Sequence, residues 1–222
     1  MGNLNFAPII EYLPDLVDGA RVTIGLSAVS ASLGLVLGLA LALMRYSGIA
    51  ILNWPAYVFI EFFRTTPPLV QIVWIFYGLP VITGYDLDEF WSAALALGLN
   101  IGAFFAEIFR AGISGIDRTQ WQASRVLGLS LSDTLRFVIL PQAFRNVMPP
   151  TGTTVIYLIK GTALATAIGT PELLRVGQLI SLETFRPVET LTIVAVAYFV
   201  LTYPIALFFQ AIEKRLSASR SH

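Results

Sequence analysis

Cysteine is absent from this 222-residue sequence, and its one histidine is the last residue, His222. Zinc sites made of cysteine and histidine, disulfide frameworks, cysteine nucleophiles and Ser-His triads are therefore excluded. The phosphate-binding pattern G-x-x-x-x-G-K-[ST] is also missing, so the chain is not itself an ATPase of that class. We predict that the chain has no catalytic residue, binds no metal and holds no cofactor of its own.

Charged residues are scarce as well. They make up 13% of the chain, whereas an ordinary soluble domain has about 25%. Hydrophobic residues make up 56% of it, and the mean hydropathy is +0.74. These values indicate an integral membrane protein. Because 14 basic residues balance 14 acidic residues, the strongly basic surface of a nucleic-acid-binding protein is missing, and we expect no nucleic-acid partner.

Five charge-poor stretches are long enough to cross a bilayer, whose hydrocarbon core of about 30 Å needs about 20 mostly apolar residues per helix. They cover residues 22–44, 54–79, 90–108, 148–168 and 190–212. In the first, Gly25, Gly34 and Gly38 would let a neighbouring helix approach closely. In the second, Pro67 and Pro68 predict a bend near the middle. The predicted fold is all-α, a single polytopic membrane domain comprising residues 1–222.

The distribution of cations predicts the orientation, because Lys and Arg concentrate on the cytoplasmic side of a membrane protein. An N-terminus outside and a C-terminus in the cytoplasm leave only Arg21, Arg175 and Arg186 on the outer side. The cations on the cytoplasmic side are then Arg45, Arg110, Arg118, Arg125, Arg136, Arg145, Lys214, Arg215 and Arg220. We therefore predict a five-span protein whose N-terminus is outside.

Four ionisable side chains fall within the predicted spans, where such groups are costly and mark candidate functional sites. Glu61 and Arg64 are three residues apart, as are Glu107 and the nearby Arg110, so each pair shares a helix face and can neutralise itself. Lys160 has no acidic residue within four positions. Its partner is therefore a group on another helix, a carbonyl group or water in a path through the membrane.

Two interpretations of Lys160 stay open. In the first, polar side chains line a translocation path and replace part of a solute's hydration; they are Arg64, Thr65, Gln71, Lys160 and Thr162. In the second, Lys160 is a strut between helices and pairs with Glu61 or Glu107. The bend in the second span favours the path, because interrupted helices recur at transporter sites.

Residues 112–146, between the third and fourth spans, are too polar to cross a membrane and too regularly patterned for an unstructured loop. The pattern predicts a hairpin of two short amphipathic helices on the cytoplasmic side. Such a hairpin either lies on the membrane surface or docks a cytoplasmic protein. Its mixture of apolar, arginine and glutamine side chains favours docking.

The ends of both hairpin helices carry recognisable signals. Asp117 is the predicted N-cap of the first helix, and Gly128 ends it by supplying a left-handed turn. Ser130 or Ser132 caps the second helix, and Pro141 is expected to stop it.

The hairpin segment resembles the EAA loop of the membrane subunits of bacterial ABC importers. That loop has the pattern Glu-Ala-Ala, three residues, Gly, nine residues and Ile-x-Leu-Pro. The matching residues, at the same spacing, are Gln122-Ala123-Ser124, Gly128 and Val138-Ile139-Leu140-Pro141. Gln122 departs from the usual Glu, and Ser124 departs from the second Ala. The resemblance implies that Gln122 and Ala123 contact an ATPase subunit, and that Gly128 and Pro141 shape the segment.

The resemblance extends over most of the chain and indicates the polar amino acid permeases of the histidine, glutamine and arginine type. The similar segments are FRTTPPLVQ at 63–71, AEIFRAGI at 106–113, LPQAFR at 140–145 and LIKGTALA at 158–165. It implies a permease subunit in the bacterial inner (plasma) membrane, paired with a second permease subunit as a homodimer or heterodimer. It also implies two ABC ATPase subunits that bind ATP and Mg, and a periplasmic or extracellular solute-binding protein. The choice among polar amino acids stays open.

An ion-coupled secondary transporter of small polar solutes is the alternative, because charges within spans and a broken helix also suit such carriers. Five spans, however, do not divide into two inverted halves. The sequence shows no internal repeat beyond the short Glu-x-x-Arg motif. We therefore predict the ATP-driven importer subunit.

Overall fold

The computed structural model of the chain describes residues 4–218, and its regular elements there are all helices. Arg220 and His222, which entered the predictions above, lie outside the described residues. The α-helices are α1 (Ala7–Ile10), α2 (Leu13–Tyr46), α3 (Ala50–Thr65), α4 (Pro68–Val73), α5 (Leu79–Thr83), α6 (Glu89–Ser114), α7 (Arg118–Val126), α8 (Leu131–Asp133), α9 (Leu140–Gly161), α10 (Leu173–Thr184) and α11 (Pro187–Ala218). Between them lie π-helices at Trp74–Gly78 and Thr134–Ile139 and a 3₁₀-helix at Thr162–Ile168.

Helices α2 and α6 form the most extensive helix pair of the molecule. Gly34 and Gly38 of α2 lie against Gly98 and Gly102 of α6. A Cβ built on Gly38 would lie only 2.9 Å from the carbonyl oxygen of Gly102 and 2.6 Å from Cβ of Phe105. Small residues let helix backbones approach this closely, as they do in membrane proteins generally. The close approach predicted from Gly34 and Gly38 is therefore confirmed.

The second predicted span is broken where Pro67 and Pro68 predicted a bend. Helix α3 ends at Thr65, and it meets the segment Pro68–Thr83 at 107°. Proline has no N–H and a fixed φ, so the α3 hydrogen-bond ladder does not continue through this pair. The break leaves backbone carbonyls without their helical partners, and side-chain amides from elsewhere in the chain bind them, as described below.

Three helices within residues 4–218 are each long and apolar enough to cross a membrane: α2, α6 and α11. The bent pair of α3 and Pro68–Thr83 makes a fourth if it counts as one span. The predicted span 148–168 is not one continuous α-helix, because α9 gives way to the 3₁₀-helix after Gly161. Helix α9 is also more polar than the other long helices, since it contains Arg145, Asn146 and Lys160. The count of five spans and the orientation stay predictions.

The main apolar core lies where α2, α4, α6 and α9 meet, and Leu26, Ile72, Phe105 and Leu158 are buried there. A second cluster joins α1, α2, α10 and α11 around Leu173. The main core also holds the 3₁₀-helix, since Ala165 and Ile168 belong to it.

Candidate functional site

Helices α3, α6 and α9 bring polar and aromatic side chains together in one row. Arg64 of α3 lies over the ring of Phe104 of α6, with 5.7 Å between the guanidinium carbon and the ring centroid. The centroid of the same ring is 6.2 Å from that of Tyr157 of α9. Lys160 follows Tyr157 three residues further along α9 and is exposed. We name this row of Arg64, Phe104, Tyr157 and Lys160 the polar face.

Both ion pairs expected within single helices are formed. Glu107 accepts hydrogen bonds from Arg110 at 2.7 Å from Nη2 and 3.1 Å from Nε. Glu61 and Arg64 are paired at 3.5 Å, and Arg64 also interacts electrostatically with Glu107. Opposite charges placed side by side reduce the cost of holding ionised groups at membrane depth.

An open cavity of about 500 Å³ lies beside the polar face. Its lining includes Arg64, Phe104, Glu107, Asn146 and Pro150. The volume falls within the roughly 300–1,000 Å³ of typical small-molecule sites. Because an arginine and a glutamate both reach it, the cavity offers a partner for a carboxylate and a partner for an ammonium group.

Of the two cations on the polar face, Lys160 is the one that has no ion-pair partner in the described part of the chain. Within residues 4–218 it forms no ion pair, neither with Glu61 nor with Glu107, the two partners that the strut interpretation requires. Glu107 is bound instead by Arg110, and Glu61 is paired with Arg64, each within its own helix. The strut between helices is therefore not formed among the described residues, and the Lys160 ammonium is exposed to water, a solute or another chain.

Three other residues of the predicted path have different surroundings. Thr65 is exposed, and its hydroxyl donates to the Glu61 carbonyl at 2.7 Å. Gln71 is 94% buried, and its side-chain amide donates to the Phe63 carbonyl, 3.0 Å away, across the break in the second span. Thr162 is fully buried. Gln71 and Thr162 are thus buried and are not part of the exposed polar face.

Residues that the sequence analysis did not single out complete this region. Asn100 of α6 donates to the Phe63 carbonyl at 2.8 Å and so helps Gln71 to hold the break. Glu172 and Tyr198 share a hydrogen bond of 2.6 Å in the interior. Asn100 could have been noticed as an asparagine within an apolar span. Glu172 could have been noticed as a glutamate directly before the Leu173-Leu174 pair. Nothing in the sequence distinguished Tyr198 from the other tyrosines.

The hairpin between α6 and α9 has its own small core. Ile116, Ile139 and Ala143 are buried there, and Trp121 and Leu135 pack against them. The opposite surface is apolar and exposed, and the side chains on it are Val126, Leu127, Leu131 and Phe137. An exposed apolar surface of this kind indicates a contact with another protein or with a membrane.

The EAA-like residues divide between this surface and the hairpin interior. Gln122, Ala123, Leu140 and Pro141 are exposed. Ser124 is 98% buried, and its hydroxyl donates to the Gln120 carbonyl at 2.8 Å. Ser124 therefore supports the first hairpin helix from within, whereas Gln122 and Ala123 are free to contact a partner.

The caps and the turn of the hairpin are formed as predicted. The Asp117 carboxylate accepts from the Thr119 N–H at 2.9 Å, and this hydrogen bond lowers the pKa of Asp117. Gly128 has φ +72°, a left-handed conformation that ends α7. Of the two candidate serines, Ser130 is the N-cap of α8 and accepts from the Asp133 N–H at 3.1 Å.

Pro141 does not stop the second hairpin helix, which is a correction to the sequence analysis. The chain passes from α8 through the π-helix Thr134–Ile139 into α9, and Pro141 lies in the first turn of α9. Proline is tolerated in a first helical turn because the N–H that it lacks has no partner there. The second hairpin helix is thus continuous with the helix that carries Lys160.

A bundle of apolar helices with a polar face, joined to a separate hairpin that exposes apolar side chains, is typical of a membrane transport subunit. The chain belongs to the family of binding-protein-dependent transport system inner membrane components, whose family profile matches residues 34–218. It is therefore a permease subunit of an ABC importer and a multi-pass membrane protein. Because the members of this family are components of binding-protein-dependent transport systems, the alternative of an ion-coupled secondary transporter is rejected.

Similar proteins cover nearly the whole chain. The arginine transport system permease protein ArtQ of Bacillus subtilis (strain 168) is 34% identical over 98% of this chain and 99% of its own length. The glutamine transport system permease protein GlnP of Escherichia coli (strain K12) is 38% identical over 96% and 97%. A crystal structure of an amino acid ABC transporter with histidines matches with a TM-score of 0.90 and 34% identity, over 96% of this chain and 100% of that one.

Replacing Gly128 by valine is expected to uncouple the hairpin from the ATPase subunit that it binds. A β-branched residue at φ +72° strains the turn by about 1–3 kcal/mol, which distorts the surface around Gln122 and Ala123. The measurement is ATP hydrolysis by the purified complex with and without solute-loaded binding protein, and we expect the stimulation to be lost.

Gly84→Val is the matched control, because Gly84 has φ +74°, and a Cβ there, as at Gly128, meets no other atom within 4 Å. It lies between α5 and α6, outside the hairpin. Unchanged stimulation in Gly128→Val would show that the hairpin does not couple to the ATPase.

Proposed function

We propose that this chain forms the translocation path of an ATP-driven importer for polar amino acids. The observation that carries the proposal is Lys160, a charged, exposed side chain in the middle of a predicted span, which has no ion-pair partner among residues 4–218. A lysine at membrane depth needs water or an anionic partner, and an amino acid carboxylate in a hydrated path is such a partner. The names of the relatives in the arginine and glutamine transport systems support this substrate class.

The path runs along the polar face and into the cavity beside it. Lys160 and Arg64 supply positive charge for a carboxylate, and Glu107 and Glu61 supply negative charge for an ammonium group. Thr65 adds a hydroxyl group to the surface of the path, while the buried Gln71 and Thr162 stabilise the helices that form it. A path with both signs of charge suits zwitterions, whose two charged groups each lose hydration as they cross.

The chain crosses the membrane five times, with its N-terminus outside and its C-terminus in the cytoplasm. The crossings are α2, the broken pair, α6, α9 with the 3₁₀-helix, and α11. The hairpin then lies in the cytoplasm, with Arg118, Arg125 and Arg136 on it, as the concentration of cations on that side requires.

The partners follow from this arrangement. The exposed apolar surface of the hairpin docks onto an ATPase, and two ATPase subunits bind ATP and Mg beneath two permease subunits of the same or different sequence. A periplasmic or extracellular solute-binding protein delivers the amino acid to the outer ends of the helices. The whole complex lies in the bacterial inner membrane.

Uptake by the reconstituted complex tests this function. We expect labelled arginine, glutamine or histidine to enter proteoliposomes only when ATP and the binding protein are both present, and unlabelled polar amino acids to compete for entry. Leucine serves as the apolar competitor and is expected to have no effect. Uptake that needs an ion gradient but no ATP, or that polar amino acids do not inhibit, would contradict the proposal.

A further inference from the structure

The turn between α2 and α3 exposes large apolar side chains. Only residues 47–49 separate the two helices, and Gly48 makes the turn with a left-handed φ of +70°. Ile51 is 81% exposed and Trp54 is 70% exposed. Exposed apolar side chains of this size are unfavourable in water, and a patch of them indicates a contact with another surface. We name residues 45–57 the α2–α3 turn.

The α2–α3 turn lies where two membrane segments end. Helix α2 is long and apolar enough to cross a membrane, and so is the bent pair of α3 and Pro68–Thr83 if it counts as one span. Tryptophan and tyrosine collect at the boundary between hydrocarbon and water, because each combines an apolar ring with a polar group. Tyr46, Trp54 and Tyr57 are all exposed in this turn. We therefore expect the turn to lie at the level of the lipid headgroups.

Arg45 is the one charged residue of the α2–α3 turn, and its guanidinium group has few partners. Nη1 donates to the side-chain oxygen of Asn53, and the guanidinium carbon lies 5.0 Å from the centroid of the Tyr57 ring. Nε is buried and has no hydrogen-bond acceptor within residues 4–218. Arg45 forms no ion pair there either, and Glu107, which interacts with it electrostatically, is paired with Arg110.

A phosphate group supplies the acceptors that this arginine lacks. A guanidinium group binds phosphate through two parallel N–H···O hydrogen bonds, which are stronger than hydrogen bonds between neutral groups. At the level of the headgroups, the phosphates within reach are those of phospholipids. An anionic phospholipid suits the turn best, because its net negative charge complements a cation without an ion-pair partner. The exposed Ile51 and Trp54 offer an apolar surface for the acyl chains of the same molecule.

We propose that the α2–α3 turn is a binding site for an anionic phospholipid, whose phosphate is bound by Arg45 and whose acyl chains contact Ile51 and Trp54. The site requires only that the two segments on either side of the turn lie in a membrane. It does not depend on the proposed transport function. In the proposed orientation the lipid belongs to the cytoplasmic leaflet.

Photochemical labelling in a membrane tests the site. The protein is purified with its associated chains and placed in nanodiscs of phosphatidylcholine. These contain a small fraction of phosphatidylglycerol that carries a photoreactive group at the glycerol end of one acyl chain. After illumination, mass spectrometry of the digested chain locates the label, and we expect it on residues 46–57. Neither ATP nor amino acid is added, so the result is independent of transport.

Arg45→Gln is expected to lower the labelling of residues 46–57 about ten-fold, the factor that corresponds to one hydrogen bond to a charged group. Glutamine keeps an amide donor for Asn53, and the labelling is normalised to the amount of assembled complex. Arg136→Gln is the matched control. Arg136 also lies over an aromatic ring, that of Phe137 at 5.4 Å, but on the hairpin, and its loss is expected to leave the labelling unchanged. Equal labelling of the wild type and Arg45→Gln would overturn the inference.

Competition on the wild-type protein tests the lipid without any substitution. Unlabelled phosphatidylglycerol is expected to reduce the labelling, whereas phosphatidylethanolamine, which has a phosphate but no net charge, is expected to compete about ten-fold less well, by the same hydrogen bond. Inorganic phosphate is expected to have no effect. Equal competition by the two lipids would contradict an anionic lipid site, and competition by inorganic phosphate would assign Arg45 to a soluble anion. A wild-type chain without label on residues 46–57 would show that another chain covers the turn, and would overturn the inference.

Discussion

Replacing Lys160 by methionine is expected to lower amino acid uptake about 10- to 100-fold, because a charge-assisted hydrogen bond is worth about 1.5–3 kcal/mol. Methionine keeps most of the length of the side chain and removes its charge. Lys160 is exposed and forms no ion pair within the described part of the subunit, so the substitution leaves no buried charge behind. The measurement is ATP-dependent uptake by the reconstituted complex, normalised to the amount of assembled complex.

Lys214→Met is the matched control for this prediction. Lys214 is an exposed lysine near the C-terminal end of α11, outside the polar face, and its loss is expected to leave uptake unchanged. Lys160→Arg keeps the charge and is expected to retain more uptake than Lys160→Met. Wild-type uptake by Lys160→Met would remove Lys160 from the path, whereas failure of the complex to assemble would show that Lys160 pairs with another chain.

Gly38→Ala is expected to destabilise the bundle by about 1–3 kcal/mol, the range for overpacked cores. The new Cβ would lie 2.9 Å from the Gly102 carbonyl oxygen, 2.6 Å from Cβ of Phe105 and 3.1 Å from the Ala106 nitrogen. Two of these contacts are with backbone atoms and the third is with a Cβ, so no flexible side chain turns away to make room. Helices α2 and α6 must therefore separate. The measurement is the thermal unfolding of the purified complex and its yield of folded protein.

Gly25→Ala makes the same chemical change in the same helix and is the control. A Cβ on Gly25 meets only the ring of Phe90, 4.0 Å away, so the position has room for a methyl group. We expect the stability of this variant to equal that of the wild type. Equal stability of Gly38→Ala and Gly25→Ala would show that the backbones of α2 and α6 are farther apart at Gly38 than the distances above indicate. The prediction of close packing from three glycines thus holds for Gly34 and Gly38 and not for Gly25.

The main outline of the fold could be predicted because membrane helices are recognisable in a sequence as long apolar stretches with few charged residues. Proline chemistry likewise located the break at Pro67 and Pro68. The 3₁₀-helix at Thr162–Ile168 could not be predicted, because local residues such as Ala163 and Ala167 suit an α-helix and only tertiary contacts select the tighter form. The passage through Pro141 was missed because this proline lies in the first turn of α9, where the N–H that it lacks has no partner.

The site was predicted in part. Charged residues within apolar spans directed attention to Arg64, Glu107 and Lys160, which do lie on or beside one face. Their partners were harder to predict, because a hydrogen bond such as that of Asn100 with Phe63 joins residues far apart in the chain. Gln71 was assigned to the path on its polarity alone. Its burial depends on carbonyls that only the bent backbone exposes.

The most direct test of the central claim, that this chain is the permease of an ATP-driven importer, is ATP hydrolysis by its purified complex. The tagged protein is isolated in mild detergent with its associated chains, and hydrolysis is measured with the binding protein in its empty and amino-acid-loaded forms. We predict that an ATPase co-purifies and that the loaded binding protein stimulates it. Recovery of the chain without an ATPase, in a form that transports amino acids with an ion gradient alone, would contradict the claim.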